Sequence, residues 1–430
     1  MPEQPSRRII PLIPARDLAP TSRREILFRN QPPLSLYVHV PWCVHKCPYC
    51  DFNSHALPRA KNADQSPAVI PEDEYLAALI ADLESALPLI WGRRIDSVFF
   101  GGGTPSLLSG EGVDQFLAAL RSRLPFLPDA EITLEANPAS VEAGKFAAFR
   151  AAGINRLSIG IQSFNAKHLK ALGRVHDDHE ARQAVAIAAR YFENFNLDLI
   201  YGLPGQSVAE ALADIDTALS FAPPHLSCYQ LTIEPNTAFA ARPPVLPDPD
   251  SCADMQDAIE ARLAVAGYRH YETSAFARTG HQCRHNLNYW QFGDYLGIGA
   301  GAHSKLTLQD RVLRQMRWKQ PEQYLAKVAA GTALQEEFAV AAADLPFEFM
   351  LNALRLIDGF DAQLFALRTS LPLVCIDSEL RRAERDGLIE RDQQRIAPSD
   401  RGRRFLNQLL ERFLVAPGNQ PANPRPGNPG

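Results

Sequence analysis

The sequence predicts an α/β protein: a partial (β/α)6 barrel over residues 34–310, followed by a small winged-helix-like C-terminal domain over 311–415. Three observations predict it. Six short apolar runs alternate with segments whose apolar residues recur at three- and four-residue steps, the pattern of parallel βα units. Glycines and polar residues stand at the ends of those runs, where a βα barrel gathers its functional groups. After a glycine-rich stretch at 293–304 the alternation stops, and a helix, a strand-like pair and a closing helix take over.

The strands are expected at 35–40, 95–100, 131–135, 156–161, 196–201 and 226–233. Helices are expected at 72–87, 112–124, 141–152, 179–192 and 208–221, with Ser140 and Ser207 as N-caps of the third and fifth. From residue 345 the segment FEFMLNALRL opens the C-terminal unit. Residues 1–33 read as an N-terminal extension rich in Pro and Arg, and 416–430 as a tail without core-forming residues, expected to be disordered.

Composition narrows the function classes. The 430 residues are 46% hydrophobic, 9% aromatic and 22% charged, enough to bury a substantial core. A net charge of −5 and a pI near 6.1 provide no extended positive face for nucleic acid. No apolar run reaches the roughly eighteen residues that span a bilayer. The first thirty residues mix arginines, prolines and acids without the apolar centre of a secretion signal, so a cytoplasmic location is expected. Of seven cysteines, three fall within eight residues, which suggests reduced thiols with a metal use. Cys228, Cys252, Cys283 and Cys375 read as ordinary core residues.

The clustered three are Cys43, Cys47 and Cys50, in C-x3-C-x2-C spacing. A structural zinc ion would need a fourth ligand, such as His45 or His55. An iron–sulfur cubane held by three thiolates instead leaves one iron open to a ligand. Gly101-Gly102-Gly103-Thr104-Pro105 directly follows the second run, and glycines let backbone approach a ligand closely. Glu135 ends the third run, Gln162 follows the fourth, Asp198 lies in the fifth and Thr232 ends the sixth, so a barrel would place all of them at one rim.

At these residues the chain resembles the radical S-adenosylmethionine superfamily, in its anaerobic coproporphyrinogen III oxidase-like branch. The segments YVHVPWC, FFGGGTPS, LEANP, LSIGIQSF, LGRVH and LDLIYGLPG carry the match. The resemblance implies a 4Fe-4S cluster on the three cysteines, with Tyr37, Gly102, Gly103, Thr104, Glu135, Gln162, Arg174 and Asp198 around S-adenosylmethionine.

Two activities compete within that branch. The coproporphyrinogen III dehydrogenases continue the cysteine motif as C-x2-C-x-C, whereas here Phe52 stands at the last position. HemW-like heme chaperones read CPYCDFNSH, as this chain does from Cys47 to His55. They also share an H-N-x-x-Y-W pattern, met here as His285-Asn286-Leu287-Asn288-Tyr289-Trp290, which implies heme at His285. Without the resemblance, the same six residues read as a hydrogen-bonded core histidine beside an aromatic pair. The expected partners are heme, acceptor heme proteins and an electron donor such as flavodoxin or ferredoxin, with no nucleic acid and any membrane association peripheral. A chaperone needs no radical, so these residues imply binding of S-adenosylmethionine and leave its cleavage open.

Overall fold

The computed structural model describes residues 26–57, 70–140 and 143–414. Most of the expected N-terminal extension and all of the 416–430 tail lie outside the described residues. Six parallel strands run in chain order side by side: β1 Leu34–Val40, β2 Ile95–Gly102, β3 Phe126–Ala136, β4 Arg156–Gln162, β5 Phe195–Tyr201 and β6 His225–Gln230. Their sequences explain the arrangement. LSLYVHV in β1 and FNLDLIY in β5 are apolar at nearly every position and buried on both faces, as strands covered by crossover helices must be.

The covering helices include α1 Glu72–Ile90, α2 Gly110–Arg123, α3 Ala143–Ala152, α4 Asp178–Tyr191 and α5 Val208–Ser220. Ser207 closes a capping box with Glu210 at the start of α5, as its spacing predicts, and Asp177 does the same with Glu180 for α4. Ser140 has a different use: its hydroxyl lies 2.8 Å from the Asn137 carbonyl and 2.6 Å from Ser106 Oγ.

The sheet extends beyond the six strands. Past β6 lie β7 Arg269–Glu272 and β8 Ala275–Ala277; past β1 lie β9 Asp294–Ile298, β10 His303–Thr307, β11 Val312–Arg317 and β12 Leu334–Ala339. The spatial order is β12-β11-β10-β9-β1-β2-β3-β4-β5-β6-β8-β7, with β9 parallel to β1 and the other additions antiparallel. The sheet is not closed, as a partial barrel requires. The boundary expected at residue 310 falls inside this sheet, because β11 pairs with β10 and β12 with β11 instead of starting the next unit. The sixth strand ends at Gln230, so Thr232 lies two residues beyond it and bonds Glu234 at 3.0 Å.

The C-terminal unit has its own core of Phe349, Met350, Phe365, Leu380 and Ile396, among others. It combines helices Leu345–Ala353, Ala362–Thr369 and Asp377–Arg385 with a small antiparallel sheet of Phe360–Asp361, Arg395–Pro398 and Ile389–Arg391. Phe292, in the loop before β9, packs into that core and joins the two units. Cys228, Cys252 and Cys283 are buried as expected, whereas Cys375 is exposed in a 3-10 turn, Leu373–Ile376, too short to cover it.

Candidate functional site

The three clustered cysteines share one loop after β1. A two-residue parallel pair, Trp42–Cys43 with His55–Ala56, closes it at its base. The Leu57 amide bonds the Cys43 carbonyl at 2.9 Å and the His55 amide bonds the Pro41 carbonyl at 2.7 Å. Asn53 ties the loop to the sheet by donating to the Ala300 and Lys319 carbonyls, each at 2.9 Å.

All three thiols are half-buried and each has its own polar neighbour. Thr104 Oγ1 donates to Cys43 Sγ at 3.3 Å, Arg174 Nη1 to Cys47 Sγ at 3.7 Å, and Ser54 Oγ lies 3.7 Å from Cys50 Sγ. Burial pushes the Cys43 thiol up, and the Thr104 hydrogen bond opposes it. Among the described residues no three His, Cys, Asp or Glu side chains converge as a single ion would require. Zinc needs such convergence. A cubane, whose ligands bind separate irons, does not.

Beside the loop, β2 ends in the glycines. Gly102 adopts φ +111°, and a Cβ there would lie 2.5 Å from the His39 ring; on Gly103 it would lie 2.5 Å from the Trp42 carbonyl. Only glycine fits that close approach. The Gly102 amide donates to Glu135 Oε2 at 3.2 Å. Burial raises the Glu135 carboxyl to about 8, and the charge of Asp198 adds to the rise. Asp198 is raised by burial too, while hydrogen bonds from Asn196 at 2.9 Å and Ser158 at 3.0 Å oppose it. Gln162, at the end of β4, holds φ +68°, an uncommon conformation for a side-chain-bearing residue. Arg174 is fixed by donating to the Gly160 carbonyl at 2.7 Å.

These groups enclose a cavity of about 310 Å³ that brings together Cys43, Cys47, Cys50, Gly102, Gly103, Thr104, Glu135, Gln162, Arg174 and Asp198. The residues suit a thiolate-held cluster with a polar ligand: three thiols with donors, a glycine cradle and two poised carboxyls. Thr232 also lines this cavity.

Tyr37 and His285 stand elsewhere. The Tyr37 hydroxyl lies 3.0 Å from His39 Nδ1, and its ring faces two adjoining cavities of about 990 and 220 Å³. His285 is 2% exposed and stacks on Phe99, with ring centroids 4.9 Å apart. Its Nδ1 lies 2.9 Å from Ser97 Oγ, and its Nε2 has no partner among the described residues. Burial lowers its pKa to about 3, so the ring is neutral. It lines the 220 Å³ cavity, which is below the roughly 300–1,000 Å³ of drug-sized pockets.

Sequence reasoning passed over Tyr49 and Arg156. Tyr49 lines the 310 Å³ cavity, and its place inside the cysteine motif was the available signal. Arg156 opens β4 and turns inward to the 220 Å³ cavity, its Nε unpartnered among the described residues. A charged first residue of a strand looks like an ordinary strand end in one dimension.

Two family models match: the Radical SAM superfamily over residues 37–218 and the HemN C-terminal domain over 340–405. The heme chaperone HemW of Escherichia coli (strain K12) is 48% identical over 386 residues, 89% of this chain and 99% of that one. The heme chaperone HemW of Haemophilus influenzae is 46% identical over 390 residues, 89% and 98% of the two chains. Among solved structures, coproporphyrinogen III oxidase (HemN) from Escherichia coli, a radical SAM enzyme, matches with a TM-score of 0.73 at 26% identity, covering 89% of this chain and 90% of that one.

Proposed function

The chain belongs to the radical SAM superfamily and, within it, to the family of the HemW heme chaperones, and on that premise we propose that it binds heme and passes it to acceptor heme proteins. Cys43, Cys47 and Cys50 hold a 4Fe-4S cluster, and S-adenosylmethionine occupies the 310 Å³ cavity beside it. When bound, such a cluster supplies an open iron for the amino and carboxylate groups of S-adenosylmethionine and an electron for breaking its sulfonium bond. The observation that carries the reading is three thiols, each with its own polar neighbour, around a cavity walled by Glu135, Gln162, Arg174 and Asp198.

The protein's own groups then have definite tasks. Arg174 places a positive charge against the Cys47 sulfur. Thr104 lends a hydrogen bond to Cys43, which offsets part of the cost of burying that thiolate. Glu135, protonated at neutral pH when alone, ionises when an ammonium group is brought against it, so it binds the amino end of the ligand. Asp198, hydrogen-bonded by Ser158 and Asn196, accepts from ligand hydroxyls. Gly102 and Gly103 let the backbone approach without a side chain intervening. His285, neutral and with Nε2 unpartnered among the described residues, retains the lone pair that an axial heme ligand needs. The protein works in the cytoplasm, where an electron donor such as flavodoxin or ferredoxin is at hand. No helix among the described residues is long and apolar enough to cross a membrane.

The second reading is coproporphyrinogen III oxidation, favoured by the TM-score of 0.73 to the oxidase. Against it stands Phe52, 61% exposed beside the cysteine loop, in place of the additional cysteine. One experiment separates the two. Cluster-loaded protein, given reductant, S-adenosylmethionine and coproporphyrinogen III, is expected to form no protoporphyrinogen, and to bind heme stoichiometrically in a parallel titration. Turnover of coproporphyrinogen, or failure to bind heme, overturns the chaperone reading.

A further inference from the structure

Next to the 310 Å³ cavity, and sharing Cys50, Gly102 and Glu135 with it, opens a larger cavity of about 990 Å³. Its size exceeds what S-adenosylmethionine beside the cluster requires. Its walls differ from those of the smaller cavity. Tyr289 and Tyr295, with ring centroids 4.3 Å apart, form one aromatic side, and the largely exposed Phe52 stands at the rim. The two tyrosine rings are tilted 45° to each other, and aromatic faces of this kind offer apolar contact to the edge and face of a macrocyclic π-system.

The rim also carries two cations that form no salt bridge with a described residue. Lys46 uses one of its three donors on the Phe52 carbonyl at 3.2 Å and forms no salt bridge with a described residue. Lys319 lines the same cavity, and its ammonium forms no hydrogen bond or salt bridge with a described residue. The two belong to one edge, since Asn53 of the cysteine loop donates to the Lys319 carbonyl at 2.9 Å and so binds the lysine-bearing segments together. Opposing charge is small. Asp51 is the exposed acid of the wall, and Glu135, raised to about 8 by burial, is mostly protonated at neutral pH.

We propose that the 990 Å³ cavity is the tetrapyrrole bed of this protein, and that Lys46 and Lys319 hold the two carboxylates of one porphyrin edge. Heme has that shape: a flat ring with two propionates on neighbouring pyrroles. The ring lies against Tyr289 and Tyr295, and the propionates take the two ammonium groups. Tyr289 sits on the same short helix, Arg284–Trp290, as His285, with ring centroids 5.1 Å apart, and it lines both this bed and the adjoining 220 Å³ cavity that His285 lines. A carboxylate-to-lysine contact at an exposed rim is worth little singly, about fivefold in affinity. The proposal rests on the heme-binding reading above and names its site.

The test titrates cluster-loaded full-length protein with heme and, separately, with heme dimethyl ester, which keeps ring and iron but lacks both negative charges. Wild type is expected to bind heme more tightly than the ester. The Lys46→Met/Lys319→Met double variant is expected to bind heme about 25-fold more weakly, while its affinity for the ester stays unchanged. Equal heme affinity of wild type and double variant, or a parallel fall for heme and ester, overturns the proposal. If Lys46→Met disturbs the neighbouring cluster, Lys319→Met alone carries the test, with about a fivefold loss confined to heme expected and no loss overturning it. Wild type that binds neither compound refutes the heme-binding reading itself, an outcome separate from a failed lysine comparison.

Discussion

Two regions of the barrel enclose carboxyl groups and treat them in opposite ways. At the junction of β9 and β10, Asp294 is fully buried and receives Arg93 at 2.8 Å, Lys305 at 3.0 Å, and both the amide and the hydroxyl of Thr307. Burial alone would raise its pKa, but Lys305 and Arg93 hold it below the usual carboxylate range. Across the barrel mouth, Glu135 has one backbone donor, at 3.2 Å, and no salt bridge with a described residue, and burial raises it to about 8. The first group is completed by the protein and serves the fold. The second is left incomplete, and a buried polar group without sufficient partners costs stability unless a ligand completes it. Asp82, bonded by Tyr324 at 2.9 Å and Arg317 at 3.3 Å, repeats the first pattern. The unpartnered Nε2 of His285 and Nε of Arg156 repeat the second.

Substitutions can break or sharpen this contrast. The largest effect belongs to the incomplete side: Cys47→Ser is expected to abolish the visible charge-transfer absorbance of the reconstituted cluster, and an unchanged spectrum would refute cluster binding at the loop. On the completed side, Asp294→Ala leaves Lys305 and Arg93 buried without their anion and is expected to cost about 3–5 kcal/mol in urea unfolding. Glu135→Gln should do the reverse, leaving stability at pH 8 unchanged or raised while weakening S-adenosylmethionine about tenfold to a hundredfold by calorimetry, the range of a charged hydrogen bond.

The smallest effect is the pH response between pH 7 and 8.5. With a folded-state value of about 8 against about 4.5 unfolded, the native protein retains the Glu135 proton over that interval. Its contribution to stability is therefore full below about pH 4.5 and is lost as pH rises through 8, at up to about 1.4 kcal/mol per unit. Glu272, raised by burial to about 7, adds a similar slope at lower pH. The distinguishing interval is pH 7–8.5, where Glu135→Gln should flatten the decline in unfolding midpoint. Identical slopes for variant and wild type would show that Glu135 is ionised without its ligand.

Much of this site was legible in one dimension because its signals are local. The three cysteines occupy one loop, the glycines directly follow one strand, and strand-end positions in a βα alternation converge on one rim whatever the loops do. The extent of the sheet was less legible: β11 joins it by antiparallel pairing with β10 and β12 by pairing with β11, and nothing within the sequence of either strand names its neighbour. His285 shows the same limit. The pattern around it identifies a motif, but its burial against Phe99 and Ser97 depends on residues nearly two hundred positions away.

By itself, then, the sequence determined the chemistry on offer: which thiols stand together, where the backbone admits a ligand, and which strands alternate with helices. These follow from spacing and local conformational preference. Only the tertiary structure decided which buried charges are neutralised and which are left waiting, that Lys46 and Lys319 share one edge, and that a cavity of about 990 Å³ opens beside the thiols. Electrostatic completion and cavity size are sums over residues distant along the chain, and no local pattern encodes such a sum.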